Sequence, residues 1–348
     1  MKIIQKGFVC SQNLQFASCH ASTIIANNNG SAMAAWFAGT DEGRGDTAIW
    51  GARFENNAWS TPVKLADQDD MPHWNPVLFQ PSIEQCDLYY KVGWSIPEWH
   101  TRITTSYDKG LSWTSPRELV PGDVGGRGPV KNKPIRLENS QIAAPLSIEK
   151  PDPLSPGNQL WEAYVDLSTN GGDTWIRSDK IPLNYNDLRG QRQFGAKGII
   201  QPTLWERAGS LHALMRSTEG SIFRSVSHDH GHTWEPAYPT RLAHNNSGID
   251  LVDVNHQILV LVCNPVTGMT SDPPRTPLVM EVSFDNGVTW RSGPVLEGGP
   301  GEYSYPAVIV NKDEIWVTYT WNRERIAFYR VSILEEIMAC RHVTMSPR

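Results

Sequence analysis

The sequence has no run of basic residues, no apolar stretch long enough to span a bilayer, and no cysteine pair at metal-ligand spacing. Each absence removes a class of function. A nucleic-acid partner would require a concentrated basic surface to neutralise phosphates. Here 31 Lys and Arg are scattered among 37 Asp and Glu, for a net charge of −6, and no such partner is expected. The opening Met1-Lys2-Ile3-Ile4-Gln5-Lys6 breaks with polar residues before any apolar segment of signal-peptide length, so a cytoplasmic location without a membrane partner is expected. Five cysteines (Cys10, Cys19, Cys86, Cys263 and Cys340) are an odd number at wide spacings, which suits reduced thiols rather than a disulfide framework. No Gly-rich phosphate loop and no Gly-x-Ser-x-Gly occurs, so no cofactor and no metal is expected.

What the sequence does have is tryptophan, 14 residues of it, and a repeat that contains it. The octet Ser-x-Asp-x-Gly-x-(Ser/Thr)-Trp occurs at Ser106–Trp113, Ser227–Trp234 and Ser283–Trp290, and again at Ser168–Trp175 with Asn170 in the Asp position. Each fixed residue has a mechanical use. The Asp or Asn oxygen can accept hydrogen bonds from its own turn, the Gly supplies positive φ, and the indole packs beneath the hairpin. Apolar segments such as Leu278–Val282 lead into the turn as strands should.

The tryptophans set a period. Trp113, Trp175, Trp234 and Trp290 lie 62, 59 and 56 residues apart, and a degenerate turn ending at Trp59 lies 54 before the first. Five units are thus visible, and the segment from Glu302 to Val331 supplies a sixth, completed by an N-terminal strand near Ile3–Val9. The expected fold is all-β: a single six-bladed β-propeller over residues 1–348, with four-stranded antiparallel blades. Ring closure removes the sheet edges that an open array would expose.

Six segments read as innermost strands, beginning near Cys19, Trp74, Lys131, Ile200, Ser247 and Tyr303. In four of them a proline directly follows a polar or aromatic residue. That grammar puts Asn75, Lys133, Gln201 and Tyr305 at matching positions around a central channel, where a propeller gathers its functional side chains.

The octets are similar to the Asp-box repeats of the sialidase superfamily, and the resemblance extends over nearly the whole chain. It implies a sialidase-like exo-glycosidase acting on a carboxylated sugar, such as a sialic acid or a related 2-keto-3-deoxy sugar. That family holds the sugar carboxylate with arginines, whose planar guanidinium suits a planar anion. The resemblance carries this role to Arg216, in Leu214-Met-Arg-Ser217, and to Arg275, in Arg275-Thr-Pro-Leu278. The family's first arginine falls on His20, a switchable imidazole in place of a permanent cation. The family's tyrosine nucleophile falls on Tyr305. The carboxylate that activates it is replaced by Gln201, which cannot accept a proton.

For the acid, the resemblance points to the loop holding Asp41, Glu42 and Asp46, of which Glu42 and Asp46 are preferred. Asn75, Lys133, Gln201 and Asp250 join Arg216 and Arg275 as substrate contacts. Glu302 is a reserve carboxylate, and Arg127, Lys131 and Arg323 are further loop cations able to meet an anion. His228, His230 and His232 occupy the variable positions of an octet and are expected in solvent. Two other functions fit the same residues. A polysaccharide lyase at a uronic acid would use His20 and Tyr305 as base and acid, and a non-catalytic carbohydrate-binding propeller would have no need of a carboxylate at position 201.

Overall fold

A computed structural model describes the chain apart from residues 11–14, 28–29, 69, 189–194, 268–273 and 346–348. Among the described residues its strands form five hydrogen-bonded sheets, one of which holds two successive antiparallel runs. The first run comprises Ser18–Ala26, Ala32–Gly39 and Ala48–Glu55, with Ala58–Trp59 and Val63–Ala66 both pairing to the third strand. The second comprises His73–Ser82, Gln85–Val92, His100–Ser106 and Arg117–Glu118, and the third Ile135–Arg136, Ile142–Pro151, Gln159–Ser168 and Ile176–Arg177. The fourth comprises Ala196–Arg207, Ser210–Ser217, Ser221–Ser227 and Tyr238–Ala243, and the fifth Asp250–Val254, Ile258–Cys263, Leu278–Ser283 and Arg291–Glu297. In the sixth, Tyr303–Asn311, Glu314–Trp321 and Arg325–Ser332 are joined by the N-terminal strand Lys2–Phe8, as the sequence leads one to expect.

The third and fourth runs merge into one eight-stranded sheet, because Gln159–Trp161 pairs in parallel with Ala196–Gly198. Gly198 makes this join feasible. It has φ +138°, and a Cβ there would lie 2.1 Å from the Trp161 carbonyl oxygen. A helix, Leu334–Met345, follows the last strand and has no counterpart in the sequence expectation.

Burial follows position in each run. Ser18–Ala26 is buried nearly throughout despite its Ser, His and Thr, and Ile258–Cys263 is a continuous apolar segment buried on both faces, whereas the outermost strands Val63–Ala66 and Lys2–Phe8 are largely exposed. Neighbouring runs share cores. One cluster unites Val252, Val260, Met280, Val308, Val317 and Tyr329 from the fifth and sixth runs.

All four octets form the expected clasp between the third and fourth strands of their runs. At Ser227–Trp234, the Ser227 hydroxyl donates to Asp229 at 2.8 Å and accepts from Gly231 N at 2.8 Å. Asp229 in turn accepts from the backbone N–H and hydroxyl of Thr233. The clasp glycines also touch the preceding run: Gly110 faces Met33, Gly172 faces Tyr89, Gly231 faces Leu167 and Gly287 faces Arg224. The segment ending at Trp59 is different. Asn56 and Asn57 both have positive φ, giving a two-residue hairpin turn with no clasp.

Since successive strands reverse direction, the turns at 40–47, 93–99, 218–220 and 322–324 share one end of the molecule with the starts of the first strands. The clasps lie at the other.

Candidate functional site

The first strands carry a repeated distortion at that end. Their pairing shifts register between His20 and Thr23, Trp74 and Val77, Ile200 and Thr203, and Ser304 and Ala307. Each shift contains one residue with left-handed φ: Ala21 (+53°), Asn75 (+43°), Gln201 (+54°) and Tyr305 (+54°). Such bulges re-aim side chains out of the pleat. In the third run the left-handed residue is Lys131 (+68°), so the matching position belongs to Lys131 and not to Lys133. The Lys133 ammonium instead donates to both Asp250 oxygens at 2.9 and 2.8 Å, and to Leu251 O. Asp250 also accepts from the Thr203 hydroxyl and the Val308 amide, which ties the fourth, fifth and sixth runs together.

Tyr305, Arg216, Gln201, His20 and Arg275 do converge. Arg216 is 5% exposed, and its Nη1 donates to the Tyr305 hydroxyl at 2.8 Å and to Gln201 Oε1 at 3.1 Å. Its Nε donates to Asn246 Oδ1 at 3.0 Å, and its guanidinium lies 5.2 Å from the Trp161 ring centroid. Arg275 approaches the Tyr305 ring, 5.7 Å from its centroid, and pairs with Glu302 at 2.9 Å. Glu302 also takes Arg323 Nε at 3.1 Å, and Arg323 Nη1 reaches Glu42. A chain of alternating charge, Arg275–Glu302–Arg323–Glu42, thus runs from the tyrosine to the acidic loop. Arg323 sits in the turn after Glu314–Trp321 with φ +56°, and against the cost of its burial Glu42 and Glu302 hold it firmly protonated.

His20 is buried with its ring 4.2 Å from that of Tyr305. Burial, and then Arg323, Arg275, Arg216 and Lys131, push its pKa well below the ordinary value, so the imidazole is neutral near pH 7. Of the acidic loop, Asp46 accepts from the Thr40 hydroxyl and from the Thr40 amide at 2.9 Å, and these bonds hold its carboxyl below the usual range. Asp41 Oδ1 caps the Glu42 amide at 2.8 Å. The loop packs tightly against tryptophans, with the Cβ position of Gly43 2.9 Å from Trp74 and that of Gly45 3.2 Å from Trp94.

Two neighbours of Arg216 gave no sequence signal. Burial raises the pKa of Glu149, opposed by Arg216, and Trp161 lies under the guanidinium on the adjoining strand. Asn75 lies at its bulge, 9% exposed. Arg127 is committed to Asp166, at 2.8 Å, and to the Trp175 carbonyl. His228 and His230 meet Glu235 and Glu206 near the surface, as their octet positions suggest. Among the described residues no cluster of three or more His, Cys, Asp or Glu is arranged to hold a metal, and no helix is long and apolar enough to cross a membrane.

Mostly antiparallel four-stranded runs with polar groups gathered at one end define an all-β repeat protein of the sialidase type. Residues 30–317 match the BNR repeat-like domain, and the chain belongs to that family as a divergent sialidase-like member. No curated protein matches it in sequence. Among solved structures it is similar to a Hadza microbial sialidase, Hz136, at 14% identity and TM-score 0.72, covering 95% of this chain and 69% of the other. A protein of unknown function from Dyadobacter fermentans matches at 13% identity and TM-score 0.76, covering 95% and 98%. The sialidase of Trypanosoma rangeli, in complex with the inhibitor DANA, matches at 13% identity and TM-score 0.68, covering 99% and 60%. At such identities the likeness is one of fold.

Proposed function

We propose that the chain is a single six-bladed propeller whose channel mouth binds a carboxylated sugar and hydrolyses its glycosidic bond. The observation that carries this reading is the convergence of Arg216 and Arg275 on Tyr305, with Arg216 buried and its three hydrogen-bond partners all neutral. A buried guanidinium that hydrogen-bonds only neutral groups and meets Glu149 through space without direct pairing favours an anionic ligand, and a planar carboxylate matches its paired donors. Arg323 supplies a cation on the side where His20 has none. Gln201 orients Arg216 without taking a proton, so the Tyr305 hydroxyl accepts a hydrogen bond yet has no carboxylate base at that position. The mechanism favoured here therefore brings water directly to the anomeric carbon, with proton transfers at the Glu42–Asp46 loop and His20 against the substrate.

The 4.2 Å contact of neutral His20 with Tyr305 favours a second reading, β-elimination at a uronic acid, in which the imidazole removes the proton and the phenol donates one. One experiment separates the two. The protein is incubated with glycosides of a sialic acid, a 3-deoxy-octulosonate and a uronic acid, and the products are followed by NMR and ultraviolet absorbance. Hydrolysis gives a free saturated acidic sugar, and elimination gives an absorbing unsaturated uronate. Retention of every substrate intact, with measurable binding, would leave a carbohydrate-binding propeller.

A further inference from the structure

The bulges that aim Asn75, Gln201 and Tyr305 take backbone carbonyls out of the strand ladder, and buried carbonyls require donors. For the bulges at Gln201 and Tyr305 those donors come from two adjacent residues, Lys131 and Asn132, which are 4% and 1% exposed. Asn132 Nδ2 donates to Gln201 O at 2.9 Å and to Pro202 O at 3.0 Å, within the bulge of the fourth run. The Lys131 ammonium donates to Asn132 Oδ1 at 2.9 Å, to Ile249 O at 2.6 Å, and to Pro306 O, the carbonyl that follows Tyr305. One side chain of the third run thereby reaches the fifth and the sixth.

Space for that reach comes from Gly248, which directly precedes Ile249. A Cβ at Gly248 would stand 3.0 Å from Lys131 Cε and 3.1 Å from Tyr305 Cγ. The lysine stem and the phenol root both lie against the same bare backbone. Nothing in the sugar-binding reading uses Lys131, whose ammonium is wholly engaged by protein oxygens.

We propose that Lys131 is a positioning residue: by holding the Pro306 carbonyl across the bare Gly248 it fixes the left-handed bulge at Tyr305, and so the place of the Tyr305 hydroxyl beside Arg216. The inference rests on the functional reading for its catalytic consequence, but not for the structural tie. Lys131→Met keeps the stem and removes the donors. Gly248→Ala leaves every polar group in place and inserts a methyl between lysine and tyrosine.

The test has two arms on the full chain. In the first, tyrosines carry 13C at Cζ and the Tyr305 resonance is assigned by its loss in Tyr305→Phe. Both variants are expected to shift that resonance while the Tyr89 and Tyr238 signals, from strands remote from the tie, stay put. In the second, aryl glycosides of a sialic acid, a 3-deoxy-octulosonate and a uronic acid are assayed. For any that the parent cleaves, kcat is expected to fall about tenfold or more with KM within about twofold, since Tyr305 and the Arg216 it touches orient the sugar at the reacting carbon and a shift there costs rate more than binding. An unmoved Tyr305 resonance in both variants overturns the positioning role, as does an unchanged kcat. If the parent cleaves none of the glycosides, the hydrolase reading fails, and the resonance arm still decides the tie. If Lys131→Met does not fold, the Tyr305 resonance of Gly248→Ala decides alone, a shift supporting the tie and an unmoved signal overturning it.

Discussion

Arg216→Ala is the sharpest perturbation of the proposed anion site. The guanidinium is 5% exposed and its hydrogen bonds go to an amide oxygen, a second amide oxygen and a phenol, while Glu149 acts on it through space without direct pairing. A bound carboxylate would therefore receive a direct charge-assisted interaction toward the upper end of the range for such bonds, about 3 kcal/mol. Arg275 differs: it already shares Glu302 at 2.9 Å and is partly exposed, so Arg275→Ala is expected to cost about 1.5 kcal/mol. By affinity arithmetic the first loss is roughly a hundredfold and the second roughly tenfold. Isothermal titration with the acidic sugar measures both. Its methyl ester is the control, because esterification removes the anion and keeps the ring; the ester should bind weakly to the parent and be almost indifferent to either substitution. Equal losses for acid and ester, or an Arg275 effect exceeding that of Arg216, would refute the assignment of the carboxylate to Arg216.

Three further outcomes are expected. Tyr305→Phe should retain measurable hydrolysis with inversion at the anomeric carbon by NMR; retention of configuration with complete loss of activity in the Phe variant would restore a tyrosine nucleophile. His244, fully buried, has its pKa lowered to about 4, chiefly by burial, so the unfolded chain takes up the proton first as pH falls below about 6.5. Stability should therefore drop on acidification between pH 6.5 and 4 by about 1.4 kcal/mol per pH unit from this residue, and His244→Gln should flatten that slope in urea titrations whatever it does to stability at neutral pH. Ser227→Ala removes the hydroxyl that serves both Gly231 N and Asp229, and should cost about 1–2 kcal/mol by urea unfolding without altering ligand affinity, since the clasp lies at the far end from the mouth.

The octets made the architecture legible because each packs a complete turn, with its own donors and acceptors, into eight contiguous residues. The mouth was harder. Asn75, Gln201 and Tyr305 could be aligned because a proline follows each, whereas Lys133 carries the same proline and is not the left-handed residue. Lys131-Asn132 and Ala21-Ser22 make the distortion without proline, and positive φ at Lys or Ala leaves no mark in the sequence. Arg323 appeared only as one loop cation among several, since its value comes from meeting Glu42 and Glu302, each far away or in another turn. Asn56-Asn57 resembles a worn octet because it leads to a tryptophan, and it proves to be an ordinary tight turn. The parallel join of Gln159–Trp161 with Ala196–Gly198 depends on a pairing between distant segments that no periodicity announces.

The clasps press their glycines into the neighbouring run at one end, while the residues proposed to meet a ligand stand at the other. Fastening and the proposed chemistry therefore occupy opposite rims and draw on separate sets of side chains. A frame built this way can carry His20, Gln201 or other side chains at its mouth without loosening its fastenings. Sequence identity of 11–14% beside TM-scores near 0.7 accords with that separation: the same frame is kept where the side chains differ.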